Sequence, residues 1–114
     1  MISKDLLKGT LKTIVLKLLE ENGRMYGYEI TREVERLTEG KVQLSWGALY
    51  PALHKLELDK FITSEEESIG KRVRKYYTLT ESGNRTAREK VQEFLDFVAI
   101  MGQILDPKPS LNLG

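Results

Sequence analysis

Apolar residues along the chain recur four times with a helical period and once with the period of a strand. Residues 5–21 carry Leu7, Leu11, Ile14 and Leu18 on one stripe with Val15 and Leu19 beside it, and the pattern stops before Asn22-Gly23. That spacing predicts an amphipathic helix closed by a glycine. After a turn around residues 23–27, Ile30, Val34 and Leu37 at i, i+4, i+7 predict a second, shorter helix ended by Gly40. Leu49, Leu53 and Leu56 repeat that interval and predict a third, with Ser45 as N-cap and an end near Asp59. The period then drops to two. A β-favouring run, Phe61–Ser64, is followed by Glu65-Glu66-Glu67 and a turn at Ser68-Ile69-Gly70. In the return strand Val73, Tyr77 and Leu79 share one face and Arg72, Arg74, Tyr76 and Thr78 the other, so a two-stranded hairpin is expected. Thr80 is placed to cap a last helix, in which Ala87, Val91, Phe94, Val98, Met101 and Leu105 step by 4, 3, 4, 3, 4 as a heptad seam.

The polar sides of these elements carry the functional signal. An ordinary solvated helix alternates Glu and Lys, whereas the third helix turns Gly47, Tyr50, Pro51, His54 and Lys55 outward, a mixture suited to docking. Lys41–Leu44 joins it briefly to the second helix, and Lys71, Arg72, Arg74 and Lys75 crowd the tip of the hairpin that follows. Two short helices and a basic-tipped hairpin describe a winged helix-turn-helix. The fold class expected is therefore mainly α with a small β-hairpin: a winged helix-turn-helix over residues 1–80, a long C-terminal dimerisation helix over 81–106, and a loose tail over 107–114.

In such a fold the third helix enters the major groove of double-stranded DNA by its N-terminal end. Ser45 and Tyr50 would hydrogen-bond base edges or phosphates, Pro51 or Ala52 would touch a thymine methyl, and Gly47 would allow close backbone approach. His54 shares that outward face. Lys55 and the wing cations Lys71, Arg72, Arg74 and Lys75 would contact phosphate. Tyr28 falls in the first turn of the second helix, where free N–H groups receive a phosphate. A plainer reading pairs the wing cations with Glu65–Glu67 across the hairpin. Lys4, Lys8, Lys12 and Lys17 of the first helix read as a solvated face.

A last helix of roughly 25 residues spans about 37 Å, longer than the small core behind it covers. Part of its seam needs another surface: the first helix, a second copy of the chain, or both. The homodimer reading uses Ala87, Val91, Phe94, Val98, Met101 and Leu105. Phe94, Phe97 and Met101 add aromatic and deformable surface where a small hydrophobic or aromatic effector could lodge between subunits; filled core is the plainer alternative.

Composition narrows the rest. A formal net charge of +1 gives no global argument for nucleic acid, so the local concentration of cations carries it. There is no cysteine and a single histidine, His54, which removes disulfides and thiolate metal sites and leaves a general base without a partner. No cofactor and no enzyme activity are expected. No run of about 20 apolar residues is present to span a bilayer and no export signal is apparent, so the expected location is cytoplasmic. A winged helix that binds protein instead of DNA is the remaining alternative.

Three motifs together are specific. Tyr26-Gly27-Tyr28-Glu29-Ile30, then Gly47-Ala48-Leu49-Tyr50-Pro51-Ala52-Leu53-His54-Lys55-Leu56-Glu57, then Arg74-Lys75-Tyr76-Tyr77-Thr78-Leu79-Thr80-Glu81-Ser82-Gly83 resemble the PadR-like transcriptional regulators over about residues 5–105. The resemblance implies a winged helix-turn-helix that represses transcription as a homodimer, often released by a small effector, and the single C-terminal helix is similar to the short branch of that family. Two features depart from it. Lys60 stands where the family usually has glycine, with Leu58 outward beside it, and the last helix lacks tryptophan. Trp46, which opens the third helix, is either a core plug or a groove contact.

Overall fold

The computed structural model describes residues 2–106, and the expected tail, 107–114, lies outside the described residues. The elements are α1 (Lys4–Asn22), β1 (Arg24–Tyr26), α2 (Gly27–Leu37), α3 (Trp46–Leu58), β2 (Ile62–Ile69), β3 (Arg72–Leu79) and α4 (Glu81–Leu105). Short hydroxyl side chains start three of the helices, each satisfying a backbone N–H that a helix leaves free. Ser3 accepts from Leu6 at 3.3 Å, Ser45 from Ala48 at 3.2 Å and Thr80 from Gly83 at 3.0 Å. At α2 the Glu29 carboxylate reaches back instead, accepting the Tyr26 N–H at 3.0 Å.

The core gathers Leu11, Val15, Leu16, Leu18 and Leu19 of α1, Ile30 and Val34 of α2, Leu49, Leu53 and Leu56 of α3, and Ala87 of α4. Met25, Val42, Leu44, Ile62 and Tyr77 complete it. Leu16, outside the predicted stripe, is buried because α1 is covered by α3, α4 and the sheet together. Leu37 departs in the other direction: it ends its stripe in the last turn of α2 and is 58 % exposed. Val42 and Leu44 turn the short link before α3 into a packed segment rather than a bare connection.

The expected hairpin is part of a three-stranded antiparallel sheet, ordered β1-β3-β2. The turn predicted around residues 23–27 contains β1, which pairs Arg24 with Thr78, Met25 with Tyr77 and Tyr26 with Tyr76. Three residues are too few to show a period, and pairing with β3 makes them a strand. The acidic run also lies inside β2, and the turn is the pair Gly70-Lys71, with Ile69 opposite Arg72. Gly70 has φ 61, as two-residue hairpin turns require at their first position. Val73 lies on the predicted face but beyond the core, and is 62 % exposed.

The end of α3 explains how Lys60 replaces a glycine. Lys60 N–H donates to Glu57 and Phe61 N–H to Leu56, both at 3.0 Å, a Schellman closure whose central residue must be left-handed. Lys60 has φ 63. Its carbonyl accepts from the hydroxyls of Thr80 at 2.7 Å and Ser82 at 3.1 Å, and Thr80 N–H donates to the Phe61 carbonyl at 3.0 Å. The start of α4 thereby clamps the path from α3 into the wing. Gly83 lets it approach, since a β-carbon there would collide with the Phe61 carbonyl. Thr80 is the N-cap of α4, and the core continues past it through Ala87.

Candidate nucleic-acid interface

Leu49, Leu53 and Leu56 anchor α3 inward, and that anchoring leaves Gly47, Tyr50, Pro51, His54 and Lys55 exposed together. Trp46, Tyr50 and His54, spaced by four, form a ladder on this surface. The Trp46 and Tyr50 rings are 5.4 Å apart, and Tyr50 stacks on His54 at 6.0 Å. Trp46 is not a fully buried core plug. It is 52 % exposed, yet a side chain on Gly27 would collide with its ring, so it also fastens the start of α3 to the start of α2. Tyr28, 59 % exposed at the second position of α2, accepts from Arg32 at 2.7 Å. Ser45 spends its acceptor on the cap and keeps its hydroxyl proton to donate. Lys55 is paired along the helix with Asp59 at 3.2 Å.

The two faces of the wing differ. On the inner face Lys75 Nζ lies 3.8 Å from Glu57 of α3, and Ser64 Oγ donates to the same carboxylate at 2.5 Å. Burial first, and Glu57 second, push the Tyr77 phenol above its ordinary pKa, so it stays neutral beneath them. On the outer face Arg24 covers the Tyr76 ring at 3.7 Å and pairs with Glu67, while Arg74 covers Tyr26 at 4.4 Å. The sequence reading missed this arginine–tyrosine face because half of it sits on β1. Cross-strand pairing of the wing cations with the wing glutamates is not what the structure adopts. Glu67 is taken by Arg24 and Lys75 by Glu57, and among the described residues Lys71, Arg72 and Arg74 pair with no carboxylate.

Along α4 the candidate seam divides. Ala87, expected between subunits, is 0 % exposed inside the protomer and belongs to its core, which withdraws it from any contact with a second copy. Val91, Phe94 and Met101 are half-buried, whereas Val98 is 49 % and Leu105 80 % exposed. Phe94 and Phe97 are 6.3 Å apart. The surface depression beside Phe97 and Ile100 is floored by α4 alone and includes neither Phe94 nor Met101, so the three residues do not enclose a space within one protomer. Among the described residues no cluster of His, Cys, Asp or Glu is arranged to hold a metal ion, and no helix is long and apolar enough to cross a membrane.

The model of the transcriptional regulator PadR-like family matches residues 15–89, from the middle of α1 into α4. An uncharacterized protein of Lysinibacillus sphaericus is 31 % identical over 109 residues, covering 93 % of this chain and 97 % of its own. The transcriptional regulator YqjI of Escherichia coli is 35 % identical over 91 residues, 75 % of this chain but 42 % of that longer protein. Among solved structures, a transcriptional regulator from Clostridium thermocellum superposes with a TM-score of 0.80 at 29 % identity, covering 90 % of this chain and 97 % of that one. PadR of Bacillus subtilis, solved in complex with operator DNA, superposes with a TM-score of 0.64 at 32 % identity over 71 % of this chain and 46 % of its own. The two solved structures share the winged-helix architecture built here by α2, α3 and the β2–β3 wing, and the chain belongs to the PadR-like family of transcriptional regulators, which are not enzymes.

Proposed function

We propose that this regulator represses transcription by binding operator DNA as a homodimer, with α3 in the major groove and the β2–β3 wing along the phosphate backbone. The observation that carries the proposal is the outward face of α3, where Gly47, Tyr50, Pro51 and His54 are exposed around a leucine-anchored helix. It stands beside a wing whose Lys71, Arg72 and Arg74 meet no carboxylate among the described residues. The relative solved in complex with operator DNA supports a DNA partner for this chain. Bases would be read by Ser45, Tyr50 and Pro51, and phosphates held by Tyr28, Arg72 and Arg74.

Titration of duplex DNA at two salt concentrations tests this. Affinity should fall steeply with salt, and Arg72→Ala should weaken every duplex about equally while lowering the salt slope by roughly 0.9. Little binding at either salt would favour a protein-binding winged helix instead. Transcription from a template bearing duplexes selected by the protein should decrease as protein is added, and an increase would identify an activator.

The apolar second half of α4 supports the dimer. It also supports an effector site that only a second copy would close, around Phe94, Phe97 and Met101. A flat aromatic compound there alters DNA binding only as far as it favours one spacing of the two α3 helices. Calorimetry with planar aromatic compounds should give heat with the wild type and less with Phe97→Ala. Binding that leaves duplex affinity unchanged would remove the regulatory role.

A further inference from the structure

Glu57 occupies the last turn of α3 and touches both strands of the wing. Ser64 of β2 donates to its Oε2 at 2.5 Å, and Lys75 of β3 approaches its Oε1 at 3.8 Å. One side chain of the groove-reading helix thereby holds the element that lies along phosphate. The pair with Lys75 is open to water, with side chains 34 % and 42 % exposed, so it is an exchangeable contact rather than a sealed one. The outer-face and tip cations Arg72, Arg74 and Lys71 have no such carboxylate among the described residues. Lys75 is the wing cation whose charge is met from within the recognition helix.

We propose, on the DNA-binding reading above, that Glu57 is a positioning residue: it sets the wing against α3 and withholds Lys75 from the phosphates of nonspecific duplex. A lysine neutralised by its own protein displaces no counterion from DNA, whereas a freed one adds a phosphate contact and steepens the salt dependence. Nonspecific binding is almost entirely electrostatic, so withholding one cation weakens it directly while leaving base contacts in place.

The experiment compares wild type, Glu57→Gln, Lys75→Gln and the double variant on a scrambled-sequence duplex across a salt series. Glu57→Gln keeps a carbonyl to accept from Ser64 and removes only the charge. It should bind more tightly at low salt, with a slope steeper by about 0.9. Lys75→Gln should keep the wild-type slope, and the double variant should match Lys75→Gln. A general loss of structure would weaken binding and flatten the slope, so it cannot imitate this result. An unchanged slope in Glu57→Gln overturns the inference while leaving DNA binding intact. So does a steepening that persists in the double variant, which would reflect the lost surface charge alone. A wild-type protein that binds no duplex at any salt overturns both readings.

Discussion

The two halves of α4 carry one heptad rhythm and end in opposite surroundings. In the first half Gly83 and Ala87 are buried, with Val91 half-buried after them, and the helix packs on α1. In the second half Leu95, Phe97, Val98, Ile100, Ile104 and Leu105 are between 49 % and 80 % exposed. Isolated apolar residues on a surface need no explanation, but this many within three turns of one helix mark a contact site. Periodicity says that a face is apolar and leaves open what it meets.

The buried half of α4 is the more sensitive to substitution. Gly83→Ala should destabilise the protomer by about 3 kcal/mol or more, because the added methyl meets a backbone carbonyl that cannot rotate away. Thermal or urea unfolding would measure it, and a loss below about 0.5 kcal/mol would mean that the clamp between α4 and Phe61 is loose. Next, if the proposed dimer forms through α4, Val98→Glu with Leu105→Glu should yield monomers, since each substitution would bury an unpaired charge at that contact. In the separated monomer the same changes should cost no more than about 0.5 kcal/mol each, as expected of surface positions. Sedimentation showing an intact dimer would assign the open half of α4 another partner.

Thr80→Ala sharpens the contrast further. It removes the N-cap of α4 and one of the two hydroxyls on the Lys60 carbonyl, and should destabilise by about 1–2 kcal/mol without changing the association state. Smallest is Lys60→Gly. A lysine at φ 63 carries left-handed strain of about 1–2 kcal/mol, partly offset by the greater freedom of glycine in the unfolded chain. The expected gain is about 0.5–1 kcal/mol in unfolding experiments.

What was legible in the sequence follows from where the information lies. The Leu49–Leu53–Leu56 stripe, the caps Ser45 and Thr80 and the outward face of α3 depend on neighbours within two turns, and the structure places them as read. β1 was hidden because Arg24–Tyr26 becomes a strand only against Tyr76–Thr78, some fifty residues on. The same distance concealed Arg24 as the partner of Glu67 and the stacking of Arg74 on Tyr26. The spacing of Ala87 continues the heptad and so predicts a seam position, although its small side chain suits the close packing of α4 on the core. The Trp46–Tyr50–His54 ladder had a visible four-residue interval, but the interval alone could not say that Trp46 would also brace Gly27.

The claim that two copies of α3 are carried as a pair is tested most directly by a hydroxyl-radical footprint on a duplex selected by the wild-type protein. Two protected patches related by two-fold symmetry, with centres about 34–36 Å apart or a multiple of that spacing, are the predicted result. A single patch without symmetry, from a protein that sediments as a monomer on the DNA, contradicts it.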